Sequence, residues 1–225
     1  MTIQFKNVSF SYGTIDVLKN VSFEVDQGEY VGIIGPNGGG KTTALQLILG
    51  FLSPQKGKVE VQAIKRKIGY VPQANTYDKD FPISVLEVVL MGTLATLRWW
   101  GTFSPSEKNR AQHFLNEMGC QGLEHRPFGT LSGGQAQKVL IARSLMCDPE
   151  ILLLDEPTAN IDAESERSIF SYLRTIKGEK TILIVTHNFE AIMQNAQRVL
   201  CFQHAVSSMK PEEVCKHFTL GMYHG

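Results

Sequence analysis

The sequence predicts an α/β fold: a mainly parallel sheet covered by helices, opened by a β-rich N-terminal layer and interrupted by an inserted helical subdomain. Three observations predict it. Helix and strand periodicities alternate along most of the chain, the pattern of a parallel sheet with helical crossovers. A continuous apolar strand at residues 30–34 runs directly into a glycine-rich loop and then into a helix. Between residues 74 and 130 helical signals dominate, with no low-complexity tract or long linker at either edge, so the segment reads as an insertion rather than a tethered domain.

The N-terminal layer rests on Ile3/Phe5, Val8/Phe10 and Val21/Phe23/Val25, whose alternation is the period of strands with one buried face. A helix is expected over residues 41–51, since Leu45, Ile48, Leu49 and Leu52 recur at helical spacing. Residues 58–63 and 68–71 read as strands, and the pattern changes character at Pro72-Gln73. Ser84 is positioned to cap a helix over 85–91, and Ser104-Pro105-Ser106-Glu107 to open one reaching Met118. A helix over 133–147, a buried strand over 151–155, a helix over 163–176 and a strand over 181–185 complete the alternation. The chain therefore reads as one unit over residues 1–225, with a core formed by 1–73 and 131–225 and a helical subdomain at 74–130.

A chain of 225 residues can bury one sizeable core. Lys plus Arg total 22 and Asp plus Glu total 22, so no net basic field exists to capture nucleic acid or an anionic bilayer. Cys120, Cys147, Cys201 and Cys215 form no C-x-x-C pair, which fits free thiols in a reducing compartment. The N-terminal residues lack the basic and apolar regions of a secretory signal, so a chain that stays inside the cell is expected. The most apolar stretches, 44–52, 85–91 and 151–154, fall short of the roughly 20 residues of a membrane-spanning helix. A membrane role is thus expected only through a partner.

Gly35-Pro36-Asn37-Gly38-Gly39-Gly40-Lys41-Thr42, followed by Thr43, satisfies G-x-x-x-x-G-K-[ST] between a strand and a helix. Glycines let successive backbone N–H groups curl around an anion, the helix start adds its positive dipole end, and Lys41 reaches the β- and γ-phosphates. Thr42 offers a hydroxyl to Mg²⁺ accompanying ATP. At the end of Ile151-Leu152-Leu153-Leu154 stand Asp155 and Glu156, adjacent acids that point apart and so take different tasks: Asp155 the metal, Glu156 the attacking water. Leu131-Ser132-Gly133-Gly134-Gln135 precedes a helix, so Ser132 and the Gly133 and Gly134 amides make a second anion-facing helix start.

Together with His187 at the end of the strand 181–185, this set resembles the ATP-binding-cassette (ABC) ATPase family over almost the whole chain, and Leu-Ser-Gly-Gly-Gln is its most specific part. The resemblance implies a phosphate-loop core with an N-terminal antiparallel β layer and a helical insertion. It implies that Tyr12 stacks on adenine, that Gln73 touches Mg²⁺ and the attacking water and hinges the helical subdomain, that His187 contacts the γ-phosphate, and that Asp162 lies on a loop crossing between protomers. It further implies a dimer in which the Ser132 signature of one copy caps the ATP held by the glycine loop of the other. No covalent phospho-enzyme is needed, because water attacks the γ-phosphorus directly.

About sixty residues separate Gln73 from Leu131, too few for a long coiled-coil insertion. A single cassette without a fused hydrophobic region resembles separate-subunit importers, bound to permease subunits at the cytoplasmic face of the membrane and, through that complex, to an extracytoplasmic solute-binding protein; no nucleic acid is expected. Residues 217–224 and the Gly-Gly-Gly-Lys-Thr-Thr variant resemble cassettes of zinc, manganese and iron uptake systems, which implies divalent-metal import. Haem, siderophore or another small solute is the alternative cargo, and a soluble cassette acting on a macromolecular complex is the alternative class. Cys201-x-x-His204 and Cys215-x-His217 invite a direct metal site, although no four-ligand spacing is clean. Lys138, where relatives often carry arginine, touches no catalytic role. Arg98-Trp99-Trp100-Gly101-Thr102-Phe103 lies where the family docks a helix of its membrane subunit, with packing inside the helical segment as the alternative.

Overall fold

The computed structural model describes residues 2–63, 67–73, 78–96, 102–203 and 205–214. The N-terminal layer is a three-stranded antiparallel sheet ordered β2-β1-β4, built from β1 (Ile3–Tyr12), β2 (Ile15–Val25) and β4 (Lys56–Val61). Its alternation changes phase between Phe5 and Val8, where the register also shifts. Asn7 and Asn20 each take φ 50 there, a left-handed conformation that asparagine tolerates better than most residues. Ser22 Oγ accepts from Asn7 N at 2.8 Å and Ser9 Oγ from Asn20 N at 3.0 Å, so the bulged amides keep partners. These bulges leave Phe5, Val8 and Phe10 all buried on one face.

The second sheet has six strands in the order β5-β6-β7-β3-β8-β9: β3 (Tyr30–Ile34), β5 (Ile68–Val71), β6 (Ile151–Asp155), β7 (Thr181–Val185), β8 (Arg198–Gln203) and β9 (Ala205–Met209). Five run parallel, and β9 pairs antiparallel to β8 at the edge. The central strands are buried on both faces, which is why they read as unbroken apolar runs. Alternate residues serve different cores. Ile151 and Leu153 pack with the N-terminal layer and α1 (Lys41–Leu49), whereas Leu152 and Leu154 pack with the helices on the other side.

Those helices are α2 (Val85–Leu90), α3 (Pro105–Glu117), α4 (Gly133–Leu145), α5 (Ala163–Thr175) and α6 (Phe189–Asn195). Ser84 and Ser104 start α2 and α3 as reciprocal capping boxes with Glu87 and Glu107, and Pro105 occupies the first turn of α3. Val85, Val88 and Val89 of α2, Ala111 and Leu115 of α3, and Val139 and Ala142 of α4 share one buried cluster with the sheet. The helical insertion is therefore continuous with the core on its α4 side.

Several boundaries differ from the sequence expectation. α1 stops at Leu49 rather than 51, because Gly50 turns left-handed at φ 70 and its N–H closes back on the last turn. α2 passes into a 3₁₀ turn over Met91–Thr96, α4 ends at Leu145 rather than 147, α5 ends at Thr175, and β4 covers 56–61 rather than 58–63. Beyond β7, α6 and β9 are additions to the elements read from the sequence. α6 spans seven residues, too short for a periodic signal, and β9 is a polar edge strand.

Cys120 and Cys147 are free thiols, and Cys201 is buried in β8. His204, Cys215 and residues 217–224 lie outside the described residues, as do 98–101 and Lys65-Arg66. Among the described residues no cluster of three or more metal-ligating side chains occurs, and no helix is long and apolar enough to cross a membrane.

Arg198 ties β8 to the β2–β3 connection. Its Nε and Nη2 donate to the two carboxylate oxygens of Glu29 at 2.7 and 2.9 Å, and Nη2 also donates to Glu24 O at 2.6 Å. Bidentate geometry of this kind is the strong form of an ion pair. Arg198→Met removes the ion-pair partner of the Glu29 carboxylate, 14% exposed, and leaves it the Asp26 N–H at 2.9 Å. The expected cost is about 2 kcal/mol of stability, read as a lower urea midpoint at unchanged slope.

Candidate active site

The parallel sheet brings three strand ends together. Ile33 of β3 pairs with Val185 of β7, and Asp155 of β6 pairs with the same Val185 from the other side. The segments leaving β3, β6 and β7 therefore emerge side by side at the carboxyl edge, where open α/β sheets bind ligands. From β3 comes the glycine loop, from β6 Asp155 and Glu156, and from β7 His187.

The loop leaves β3 at Gly35, whose φ is 147 and where a Cβ would stand 2.1 Å from the carbonyl oxygen of Phe202 in β8. Only glycine lets these backbones approach so closely. Gly40, at φ 96, makes the last turn into α1, with a Cβ position 2.5 Å from Leu18. Between them Pro36 O accepts from Gly39 N at 3.1 Å, and Asn37 and Gly38 stand at the rim. The Lys41 ammonium is drawn inside the loop, donating to Gly35 O at 2.8 Å and Pro36 O at 3.0 Å. An ammonium has three N–H donors, so these bonds still leave one for a phosphate oxygen. Burial pulls the Lys41 pKa below its ordinary value, while the charges of Glu156 and Asp155 oppose that shift.

Asp155 is 2% exposed and accepts a hydrogen bond from the Thr42 side chain. Burial raises its pKa above the usual aspartate range, and the neighbouring Glu156 charge adds to this; Thr42 and Lys41 pull the other way. A buried carboxylate beside a hydroxyl, at the start of an anion-binding helix, is a site prepared for a cation.

Glu156 does not diverge from Asp155 by strand pleat alone, as the sequence suggested. The strand ends at Asp155, and Glu156 turns left-handed at φ 49 while its N–H still bonds to Val185 O at 2.9 Å. Such a conformation is unfavourable for glutamate and concentrates at functional positions. The turn sends the carboxylate between two partners: Oε2 accepts from Gln73 Nε2 at 2.8 Å, and Oε1 lies 3.2 Å from His187 Nε2. Gln73, Glu156 and His187, far apart in sequence, thus meet as one cluster.

They close one end of a cleft of about 740 Å³ that runs along the glycine loop to Tyr12. Tyr12 is 48% exposed, sits edge-on to Phe10 with ring centroids 4.9 Å apart, and donates its OH to Gln46 at 3.1 Å. The cleft is also lined by Ile15, Val17 and Asn160, which sequence reasoning missed. A signal existed for Ile15: a two-residue turn at Gly13-Thr14 places it directly across the hairpin from Tyr12.

The second anion-facing helix start stands apart. Ser132 caps α4, its Oγ accepting from Gln135 N at 3.2 Å while Gln135 Oε1 accepts from Ser132 N at 3.1 Å. Leu131 is buried, Gly133 lies near Asn160 O, which a Cβ would meet at 3.7 Å, and Gly134 lies against Ser165 and Asp162 at the start of α5. None of residues 131–135 lines the cleft. Asp162, placed by the sequence on an inter-protomer loop, also caps α5, accepting from Ser165 N at 2.8 Å; these bonds hold its carboxyl below the usual range.

Known proteins resemble this chain in sequence and fold. Residues 18–159 match the ABC transporter family. A probable metal transport system ATP-binding protein of Chlamydia trachomatis is 45% identical over 81% of this chain and 80% of its own. The zinc transport system ATP-binding protein TroB of Treponema pallidum is 37% identical over 88% of this chain and 77% of its own. Among solved structures, a metal-chelate type ABC transporter in an inward-facing conformation is 28% identical with a TM-score of 0.85, over 95% of this chain and 84% of that one. A dimeric ATP-binding cassette in a post-hydrolysis state bound to ADP and Pi is 30% identical with a TM-score of 0.78, over 93% and 98%. The chain belongs to the ABC transporter family, as the cassette that binds and hydrolyses ATP.

Proposed function

We propose that two copies of this chain close around two molecules of Mg-ATP and use its hydrolysis to drive uptake of a divalent metal ion through a separate membrane permease. The observation that carries the mechanism is the Gln73–Glu156–His187 cluster at the end of a cleft floored by Lys41 and Thr42. Residues 35–43 bind the phosphates, and Tyr12 stacks on the base. The residues present fit Mg²⁺: the Thr42 hydroxyl, the Asp155 carboxylate and the Gln73 amide oxygen are hard donors of the kind it takes. Bound there, the ion neutralises charge on the β- and γ-phosphate oxygens.

Glu156 aligns and accepts a proton from water, with Gln73 and His187 fixing its two oxygens. His187 also faces the γ-phosphate. The separation of Ser132 from the cleft of its own chain supports a site completed in trans: the signature of the second copy, Leu131 to Gln135, supplies amides and a hydroxyl to the γ-phosphate only when the dimer closes. Asp162 lies on the loop that runs between the copies. Residues 74–130 form the subdomain that faces the permease, Gln73 being its hinge, with residues 1–73 and 131–225 as the nucleotide-binding core. The chain then sits peripherally at the cytoplasmic face of the membrane, joined through its permease to an extracytoplasmic solute-binding protein.

The relatives named above, metal and zinc transport proteins among them, support the cargo. Cells lacking the chain should lose zinc or manganese uptake, measured with the radioactive ions, and keep haem and siderophore uptake. The converse pattern, or a chain found on ribosomes instead of sedimenting with a multi-span protein, contradicts the reading.

A further inference from the structure

His187 is 56% exposed and sits on the short turn between β7 and α6, so its own packing does little to fix its position against Glu156. Two things fix the turn: the Thr186 N–H bond to Ile33 O of β3 at 3.3 Å, and the side chain of the next residue. Asn188 is bonded three ways: its N–H donates to Thr186 Oγ1 at 3.0 Å, its Oδ1 caps α6 by accepting from Ala191 N at 2.9 Å, and its Nδ2 donates to Glu166 Oε1 at 2.9 Å. The first two bonds stay within the turn and α6. Of the three, only the last ties the turn to another element.

Glu166 lies in the first turn of α5, and its backbone N–H bonds to the carbonyl of Asp162 at 3.0 Å. A rigid helical turn thus joins Asp162, at the end of the loop after Glu156, to the carboxylate that holds Asn188. Behind the cluster a cavity of about 140 Å³, lined by Glu156, Glu166, His187 and Asn188 among others, leaves the turn room to shift if that bond is lost.

We infer that Glu166 and Asn188 are a positioning pair for hydrolysis, holding His187 at its station beside Glu156 and linking that station to the Asp162 loop; the inference rests on the assignment of His187 to the γ-phosphate made above. Neither side chain touches the reacting atoms. A displaced His187 slows the chemical step without weakening ATP binding, since the glycine loop and Tyr12 are untouched.

The test uses reversal of donor and acceptor in the full chain. Asn188→Asp keeps the α6 cap through Oδ1 but sets two carboxylates against each other, and Glu166→Ala removes the acceptor. Each should lower kcat by about ten-fold with little change in ATP affinity by titration or in melting temperature. Glu166→Gln alone keeps an acceptor oxygen and should stay within about two-fold of the parent. E166Q combined with N188D restores the bond with its direction reversed and should recover most of kcat. Asn188→Asp and Glu166→Ala at parental kcat overturn the pair, and so does a loss that the double variant does not repair. His187→Ala in the same assay separates the two readings: if it turns over normally the His187 assignment itself fails, whereas a slow His187→Ala beside normal singles defeats the pair alone.

Discussion

Glu156→Gln is expected to lower kcat for ATP by about 10²–10⁴-fold while leaving Mg-ATP affinity within a few-fold of the parent. The carboxylate lies outside the glycine loop, and its partners are Gln73 and His187, which supports the proposed role of aligning and deprotonating water rather than holding phosphate. Glutamine has the same shape and keeps an acceptor for Gln73 Nε2, so the cluster should survive intact and only the base be lost. With ATP bound and uncleaved, the variant should accumulate as the closed dimer, seen by sedimentation. Single-turnover kinetics check the prediction, and parental turnover contradicts the role given to Glu156.

Lys41→Ala is expected to act on the other parameter. Lys41 holds the loop shape through the Gly35 and Pro36 carbonyls and offers its remaining donor to a phosphate. A hydrogen bond from a charged group is worth about 1.5–3 kcal/mol, which is roughly 10- to 150-fold in Kd. The variant also leaves Gly35 O without its donor, while Pro36 O keeps Gly39 N, so the upper part of that range is expected. Nucleotide titration reads it directly; an unchanged Kd removes Lys41 from the phosphate site. The contrast is itself informative, because a general loss of folding moves both variants alike, whereas this geometry separates binding from chemistry.

What the sequence made legible follows from how local each signal is. Residues 35–42 need no partner from elsewhere to be recognised, since spacing, flanking strand and flanking helix carry the chemistry together. The helix start after Ser132 is similarly self-contained, and the structure closes it with a Ser132–Gln135 capping box. Asp155 and Glu156 were legible as a pair, but the reason they part company was not: the left-handed φ of Glu156 is imposed by the β6–α5 connection, and nothing in a glutamate side chain announces it. The bulges at Asn7 and Asn20 left a trace in the three-residue gap between Phe5 and Val8, whose meaning emerges only when β1 and β2 are paired.

The Glu166–Asn188 bond joins residues 22 apart through a polar contact between two helix starts, and such contacts have no periodicity to reveal them. The same holds for Arg198 and Glu29, which are 169 apart. Long-range polar pairing is what the fold adds to the sequence.

The central claim is that each ATP is cleaved between two chains, because the Ser132 helix start does not reach the cleft of its own molecule. Turnover per chain, measured against chain concentration with the purified full chain and Mg-ATP, tests it most directly. The account predicts a per-chain rate that falls steeply on dilution, in step with loss of the dimer by sedimentation. A per-chain rate that stays constant where only monomers sediment contradicts it.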